Sequence, residues 1–240
     1  GSLGYAFANV NPVPDIDRTK KEVSFDVLVD PGRRVYVRRI NVSGNARTRD
    51  EIIRRELRQF EDAWYDSDKI RLSRERLGRL GYFTEVRIDT VPVPEANDQV
   101  DLSVVVREQP TGAVTFGIGL SSAEKIILSA SVNQQNFLGT GNRVSMALTR
   151  SVYTSRLART ASISITDPYF TDDGVSRSFD LYTRTFDASA LSLGDYRWRT
   201  SGVGLRFGIP YTEIDRLSAG LSIEGNALRL GDNAPQRFKD

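Results

Sequence analysis

Side chains alternate between apolar and small or polar residues through the stretch from Thr111 to Ile165. Side chains of a strand point to opposite faces with a period of two, so each segment has one apolar face. Along the first segment, the apolar set is Val114, Phe116, Ile118 and Leu120. The opposite face offers mostly Ser, Thr, Gly and Asn, whereas the outer face of a soluble sandwich is usually charged. The pattern therefore favours a transmembrane barrel with a wet lumen.

The alternation predicts seven antiparallel strands joined by short turns, with no helix between them. Their predicted ranges are 112–121, 124–135, 142–152, 156–166, 176–187, 196–209 and 215–229. The turns at 137–141, 167–174 and 210–213 are expected at one end, and those near Ser122, Thr154 and 189–195 at the other. An antiparallel barrel with both termini on one side needs an even number of strands. We therefore expect the C-terminus to be truncated, or the sheet to be completed by something absent from this sequence. The opening G-S-L-G-Y suggests truncation of the N-terminus as well.

Composition excludes several classes of chemistry. The 240 residues contain no Cys and no His, which excludes disulfides, thiol nucleophiles and imidazole bases or metal ligands. The chain is 39% apolar with a formal net charge of +2, values typical of a folded protein. The sequence contains no run of 18 apolar residues, so no transmembrane helix is predicted. We expect a non-enzymatic protein without cofactors or metals.

The first 110 residues contain an internal repeat. Leu3-Gly4-Tyr5 matches Leu80-Gly81-Tyr82, 77 residues later, and Val23 to Val29 falls on Val100 to Val106 without a gap. A repeat of this length indicates arrayed small domains. We predict the tail of one unit over 1–32, a complete second unit over 33–109 and the barrel part over 110–240.

The complete unit is predicted to be α+β, with the order β-α-α-β-β. Its strands are expected at 35–42, 82–90 and 99–107, and the segment V-P-V-P-E-A-N-D at a loop or sheet edge, because Pro cannot donate to a ladder. Thr48 with Glu51 fits a capping box for the first helix. Ser67 is expected to cap the second helix, and Gly81 to end it in the left-handed conformation.

Other patterns have simpler explanations than a site. Arginines on both predicted helices are interleaved with Glu51, Glu56 and Glu75, which favours a solvated face over nucleic-acid binding. Asp167 and Asp172-Asp173 fit a tight turn better than a calcium loop. Trp64 is expected in a packed loop; an aromatic belt, the lumen or a loop remain open for Tyr196 and Trp198.

Six segments together resemble the BamA family of outer-membrane β-barrel assembly factors in Gram-negative bacteria. They are R-V-Y-V-R-R-I-N-V-S-G-N, R-R-E-L-R-Q-F-E-D-A-W, S-R-E-R-L-G-R-L-G-Y-F, F-G-I-G-L, N-F-L-G-T-G and D-P-Y-F-T-D-D-G-V-S. The resemblance implies a POTRA (polypeptide-transport-associated) domain in the periplasm and the first seven strands of an outer-membrane barrel. It also implies unfolded outer-membrane proteins as substrates, with accessory lipoproteins and outer-membrane lipid as partners.

The resemblance places two sites on this chain. The first barrel strand is one side of the family's lateral seam and would accept a substrate strand; its residues are Thr111, Gly112, Val114, Phe116, Gly117, Ile118, Gly119 and Leu120. The lipoprotein contact corresponds to Arg54, Arg58 and Glu61. A gate role for the three glycines competes with relief of crowding in a curved wall, and a solvated loop charge competes with partner contact at Glu61. A transporter that secretes a partner through its lumen and a structural anchor remain alternative functions.

Overall fold

The computed structural model describes residues 3–17, 22–121, 125–152, 158–188 and 194–231. It divides into two units, Gly1–Pro110 and Thr111–Asp240. Within the described residues, no helix is long and apolar enough to cross a membrane.

The first unit begins with a two-stranded antiparallel hairpin, β1 (Asn9–Asp17) and β2 (Glu22–Asp30). A three-stranded sheet follows, formed by β3 (Tyr36–Ser43), β4 (Phe83–Val93) and β5 (Ala96–Glu108). Its order is β3-β5-β4, with β3 parallel and β4 antiparallel to the central β5. Pro92 lies in β4, which is an edge strand. Proline lacks an N–H, and an edge strand tolerates this because one of its sides has no partner strand.

Two helices, α1 (Asp50–Arg54) and α2 (Ser67–Arg79), pack on this sheet. Apolar residues of the helices and of the segments after them form part of the core: Ile52, Ile53, Leu57 and Leu77 are buried, with Ile70 and Leu80 packed against them. Sheet residues complete the core, among them Val37, Val100, Leu102, Val104 and Val106. The predicted order β-α-α-β-β is confirmed.

Both predicted helix caps are wrong. Arg49, which makes no side-chain cap bond, is the N-cap of α1, and the Thr48 N–H instead donates to Glu108 Oε1 at 2.7 Å. Asp66, not Ser67, caps α2 by accepting from the N–H groups of Asp68 and Lys69. The prediction for the other end of α2 is confirmed, since Gly81 follows the C-cap with a φ of +73°.

The second unit is one antiparallel sheet of seven strands in sequence order, β6 to β12. The strands are β6 (Gly112–Ser121), β7 (Lys125–Phe137), β8 (Asn142–Ser151), β9 (Ala158–Asp167), β10 (Ser176–Asp187), β11 (Tyr196–Pro210) and β12 (Arg216–Leu230). The turns at 138–141, 168–175 and 211–215 lie at one end, as predicted, and the start of β6 is at the same end because Gly112 pairs with Gln134. The predicted connections near Ser122 and Thr154, and most of 189–195, lie outside the described residues.

The register places the predicted apolar residues on one face. Met146 is opposite Ile163, which is opposite Leu181, which is opposite Val203. The other face carries mainly hydroxyls, with Ser164 donating to Asp180 at 2.6 Å and Thr166 bonded to Ser178 at 2.9 Å. Trp198 is on this polar face, where its Nε1 donates to Asn226 at 3.0 Å. The turn explanation for Asp167 is supported by its Oδ1, which accepts from the Tyr169 N–H.

Candidate functional site

The first predicted site, strand β6, is an edge of the sheet. It pairs with β7 along its whole length, from Gly112↔Gln134 to Ser121↔Lys125, and has no second partner strand among the described residues. Its apolar side chains are more exposed than those of β7 and β8, with Phe116 at 80%, Ile118 at 78% and Leu120 at 85%. Unpaired N–H and C=O groups along such an edge are a template for a further strand.

The three glycines of β6 have different surroundings. A Cβ on Gly117 would lie 2.5 Å from the Ser129 Oγ, and one on Gly112 would lie 2.3 Å from the Gln134 Oε1. A Cβ on Gly119 would have its nearest neighbour, the Ile127 Cβ, at 3.9 Å, which is ordinary contact. Both atoms are at the ends of side chains that can rotate away, so crowding is a weak reason for glycine at Gly112 and Gly117 and no reason at Gly119.

Few side-chain bonds fix β6 to its neighbour. Gln134 Nε2 donates to Thr111 Oγ1 at 2.8 Å where the strand begins, and Ser129 Oγ reaches the Gly117 carbonyl at 3.4 Å. Apart from these, the described part of β6 depends on its backbone ladder with β7.

The second predicted site, around Arg54 and Glu61, lies against the outer edge of β3. Glu61 Oε1 accepts from the Ile40 N–H at 2.7 Å, and Arg54 Nη2 donates to the Ile40 carbonyl at 2.9 Å. Arg54 also pairs with Asp50, and its Nη1 is 3.6 Å from Glu61 Oε1. The two side chains therefore satisfy the backbone groups of one edge residue, a role that the sequence pattern does not reveal.

Arg58 is close in sequence but differently engaged. Its backbone N–H donates to Ser73 Oγ at 2.8 Å, which links the segment after α1 to α2. Its Nη1 reaches the carbonyls of Arg55 and Leu57 at 3.4 Å. Arg58 thus anchors the segment after α1 to α2.

The start of β3 is covered on the same edge by residues 62–65. Val37 N–H donates to the Ala63 carbonyl at 2.9 Å, and Asp62 N–H donates to the Val37 carbonyl at 2.7 Å. Trp64, expected in a packed loop, is 55% exposed and stacks edge-on against Tyr36 with ring centroids 5.9 Å apart. These contacts cover the outer edge of β3, whereas β4, the other edge strand, has no second partner strand among the described residues.

Glu108, missed by the sequence analysis, fixes the end of β5. Its carboxylate accepts from the N–H groups of Arg47 and Thr48 at 2.7 to 3.2 Å. Burial opposes its ionisation, but hydrogen bonds from the Thr48 hydroxyl and from these two N–H groups outweigh it and hold the pKa of Glu108 below its ordinary value. Asp101 is similar, since a bidentate bond from Arg38 lowers the pKa of its carboxyl.

Comparison with known proteins identifies both units. The POTRA family, described as a surface antigen variable number repeat, matches residues 35–109, and the Omp85 superfamily domain matches residues 136–240. The outer membrane protein assembly factor BamA of Neisseria meningitidis serogroup B is 39% identical over 100% of this chain. The chain therefore carries a POTRA domain and part of an Omp85 superfamily domain, and it is similar to BamA over its whole length. The predicted resemblance and fold class, a POTRA domain followed by part of an antiparallel transmembrane barrel, are therefore confirmed.

Solved structures agree with this similarity. The crystal structure of BamA from Haemophilus ducreyi lacking POTRA domains 1–3 matches all of this chain and 44% of that one, with a TM-score of 0.82 and 33% identity. CdiB from Acinetobacter baumannii matches 98% of this chain and 45% of that one, with a TM-score of 0.59 and 12% identity, which shows a shared fold alone. The chain spans 30% of the length of the Neisseria relative.

The matching domains and relatives set the location. The seven-stranded sheet belongs to the bacterial outer membrane and the POTRA domain to the periplasm, as predicted. Since the chain passes from the POTRA domain into β6 at Thr111, the end of the sheet that holds the 138–141 turn is the periplasmic end.

Proposed function

We propose that this chain acts in the assembly and insertion of outer-membrane β-barrel proteins, by pairing strands and without enzymatic chemistry. The proposal is carried by the match of this chain, over its whole length, to outer membrane protein assembly factor BamA; β6 is the first strand of its sheet. Unfolded barrel proteins are the substrates. Residues 1–32 are the tail of a preceding POTRA domain, 33–109 a complete one and 110–240 the first part of the barrel.

Strand pairing at β6 has a clear physical basis. Backbone N–H and C=O groups cannot stay unpaired in hydrocarbon without a cost of several kcal/mol each. An incoming strand satisfies the groups on the outer edge of β6, with Thr111 to Leu120 as the template. Within the POTRA domain, the outer edge of β4 is the corresponding place for an extended segment, because Arg54 and Glu61 occupy the outer backbone groups of Ile40 on β3.

Site-specific cross-linking tests the seam. A photoreactive residue replaces Ile118 in the full-length outer-membrane protein that carries this chain, in cells that synthesise a nascent barrel protein. The matched control is Ile163, which is on the same apolar face but in β9, with a paired strand on each side. We expect cross-links to the nascent chain at Ile118 and not at Ile163. Equal yields at both positions, or links from Ile118 only to the protein's own strands, would contradict a seam that receives substrate.

The accessory lipoprotein is proposed to dock where Arg54, Arg58 and Glu61 lie. Since Glu61 and Arg54 are already bonded to Ile40, a partner must share or replace these bonds. Glu61→Lys is expected to abolish co-purification of the lipoprotein, whereas Glu75→Lys, which removes an exposed carboxylate of α2 bonded to Arg71, leaves it intact. Unchanged co-purification with Glu61→Lys would remove Glu61 from the docking site. Amide exchange at Ile40 shows separately whether the β3 edge has opened.

A further inference from the structure

Three arginines form a row across the outward face of the sheet. Arg150 of β8 is directly opposite Arg159 of β9, Arg159 is opposite Thr185, and Thr185 is opposite Arg199 of β11. Because side chains opposite each other across a ladder share a face, the three arginines lie on one line over four strands. It is the apolar face, since Arg150 follows Met146 and Leu148 at spacings of two. We call Arg150, Arg159 and Arg199 the arginine row.

The arginine row lacks compensating charge. All three residues are exposed, and none has a carboxylate within ion-pair distance in the described part of the chain. Arg197, one step further out, shows the contrast, because it donates to Asp187 at 2.7 Å. Like charges directly opposite on neighbouring strands destabilise a sheet, so the Arg150–Arg159 pair is unfavourable unless an anion lies between them.

The position of the row identifies the surroundings. It lies at the end of the sheet away from the turns at 138–141 and 168–175, and that turn end is periplasmic. The row therefore lies on the extracellular half of the outward face. The next side chains on this face, two residues or about 7 Å further toward the membrane centre along each strand, are Leu148, Ala161 and Ser201. Guanidinium groups at this height border the hydrocarbon and the headgroups of the outer leaflet.

An apolar cavity of about 570 Å³ opens on the same face directly below the row. Mostly small side chains line it just inward of the row: Ala161, Thr183 and Ser201 lie along one line of the register with Leu148 and Ala130. Larger residues border it, including Met146 and Leu181. The volume is in the range of small-ligand pockets, roughly 300–1,000 Å³.

We propose that the arginine row and this cavity form a binding site for a phosphorylated lipid of the outer leaflet. The phosphates bind between Arg150, Arg159 and Arg199, because guanidinium groups donate in pairs to phosphate oxygens. An acyl chain of the same molecule fills the cavity over Ala161. The site rests on the outer-membrane location and not on the assembly function, and it deepens the partner prediction by assigning the lipid a place and a chemistry.

Lipid retention by the purified full-length protein tests the site. The protein is placed in phosphatidylcholine nanodiscs with a bisphosphorylated diglucosamine lipid, and retained lipid is counted by native mass spectrometry. The test variant carries both Arg150→Gln and Arg159→Gln. The control variant carries both Arg143→Gln and Arg184→Gln, which remove two charges from the polar face of the same sheet. We expect at least tenfold weaker retention for the first pair and a change within twofold for the second.

Further arms separate the possible sources of the signal. Ala161→Phe keeps every charge but fills the cavity, and is expected to weaken retention at least threefold. A dephosphorylated lipid is expected to be lost, and inorganic phosphate at equal phosphate concentration is not expected to displace the lipid. Any of three results would overturn the proposal. They are equal lipid retention by the two double variants, tight retention of the dephosphorylated lipid, and displacement of the lipid by inorganic phosphate alone. Barrel assembly is measured separately on the same variants, so failure of the lipid site leaves the proposed function intact.

Discussion

Replacing Gly44 by alanine is expected to destabilise the POTRA domain strongly. Gly44 ends β3 with a φ of +88°, and a Cβ there would lie 1.9 Å from the backbone oxygen of Val106 in β5. Cβ atoms do not approach other heavy atoms within 3.0 Å, and a backbone oxygen in the central strand cannot rotate away as a side chain does. The substitution must therefore shift β5, whose residue Val106 is only 3% exposed.

The magnitude follows from two contributions. An L-residue in the left-handed region costs about 1–2 kcal/mol, and forcing extra volume into a packed core costs about 1–3 kcal/mol. Together they predict a loss of about 2–5 kcal/mol, a large part of the ~5–15 kcal/mol that stabilises a typical domain. The loss is expected to be confined to the first unit, because Gly44 and Val106 both belong to it.

Amide hydrogen exchange on the full-length protein measures this loss. A 2 kcal/mol loss speeds exchange of the most protected β3 and β5 amides about 30-fold, since about 1.4 kcal/mol is a factor of ten. Gly78→Ala is the matched control, because a Cβ at Gly78 in α2 meets nothing within 4 Å and helix propensity favours alanine by about 1 kcal/mol. The reasoning is refuted if exchange in β3 and β5 changes less than twofold in Gly44→Ala, or if the two variants behave alike.

Three further predictions concern other contacts. Leu77→Ala, which empties a fully buried position of α2, is expected to cost about 2–5 kcal/mol, measured by the same exchange experiment. Glu108→Gln is expected to destabilise β5 at neutral pH. Because the folded pKa of Glu108 is lowered, the stability that its carboxylate contributes is present above pH 4.5 and is lost as the pH falls through the folded value. Amide exchange rates of the wild-type protein and Glu108→Gln should therefore converge in acid. Gly202→Ala would place a Cβ 2.5 Å from the Tyr182 ring and is expected to break the 2.6 Å bond from its hydroxyl to Glu224 and to speed amide exchange in β11. Unchanged exchange in β11 would contradict this.

Strand positions could be predicted from the sequence because a period of two with short turns is a local signal. The predicted strands at 112–121, 142–152 and 176–187 agree with β6, β8 and β10 to within one residue at each end. The same holds for the apolar face, since alternation decides which side chains share it.

Contacts between distant residues could not be predicted in this way. Thr48 looked like a helix cap because Glu51 stands three residues later, yet its N–H donates to Glu108, which is sixty residues away. Arg54 and Glu61 are charged and close to a helix end, and nothing local shows that they bond to both backbone groups of Ile40. The arginine row likewise depends on register, because Arg150, Arg159 and Arg199 have no common spacing in the sequence.

The side-chain bonds of the barrel sheet are distributed unevenly, and this bears on where it opens. On the polar face of β10 to β12, Tyr182 crosses over Gly202 to Glu224, and Asn226 accepts from both Trp198 and Thr200. These bonds connect strands beyond their backbone ladder. At the other edge, β6 has the Gln134–Thr111 bond at its start and the long Ser129–Gly117 contact. Separation of β6 from β7 therefore disrupts fewer side-chain bonds than separation within β10 to β12, which favours β6 as the proposed substrate seam.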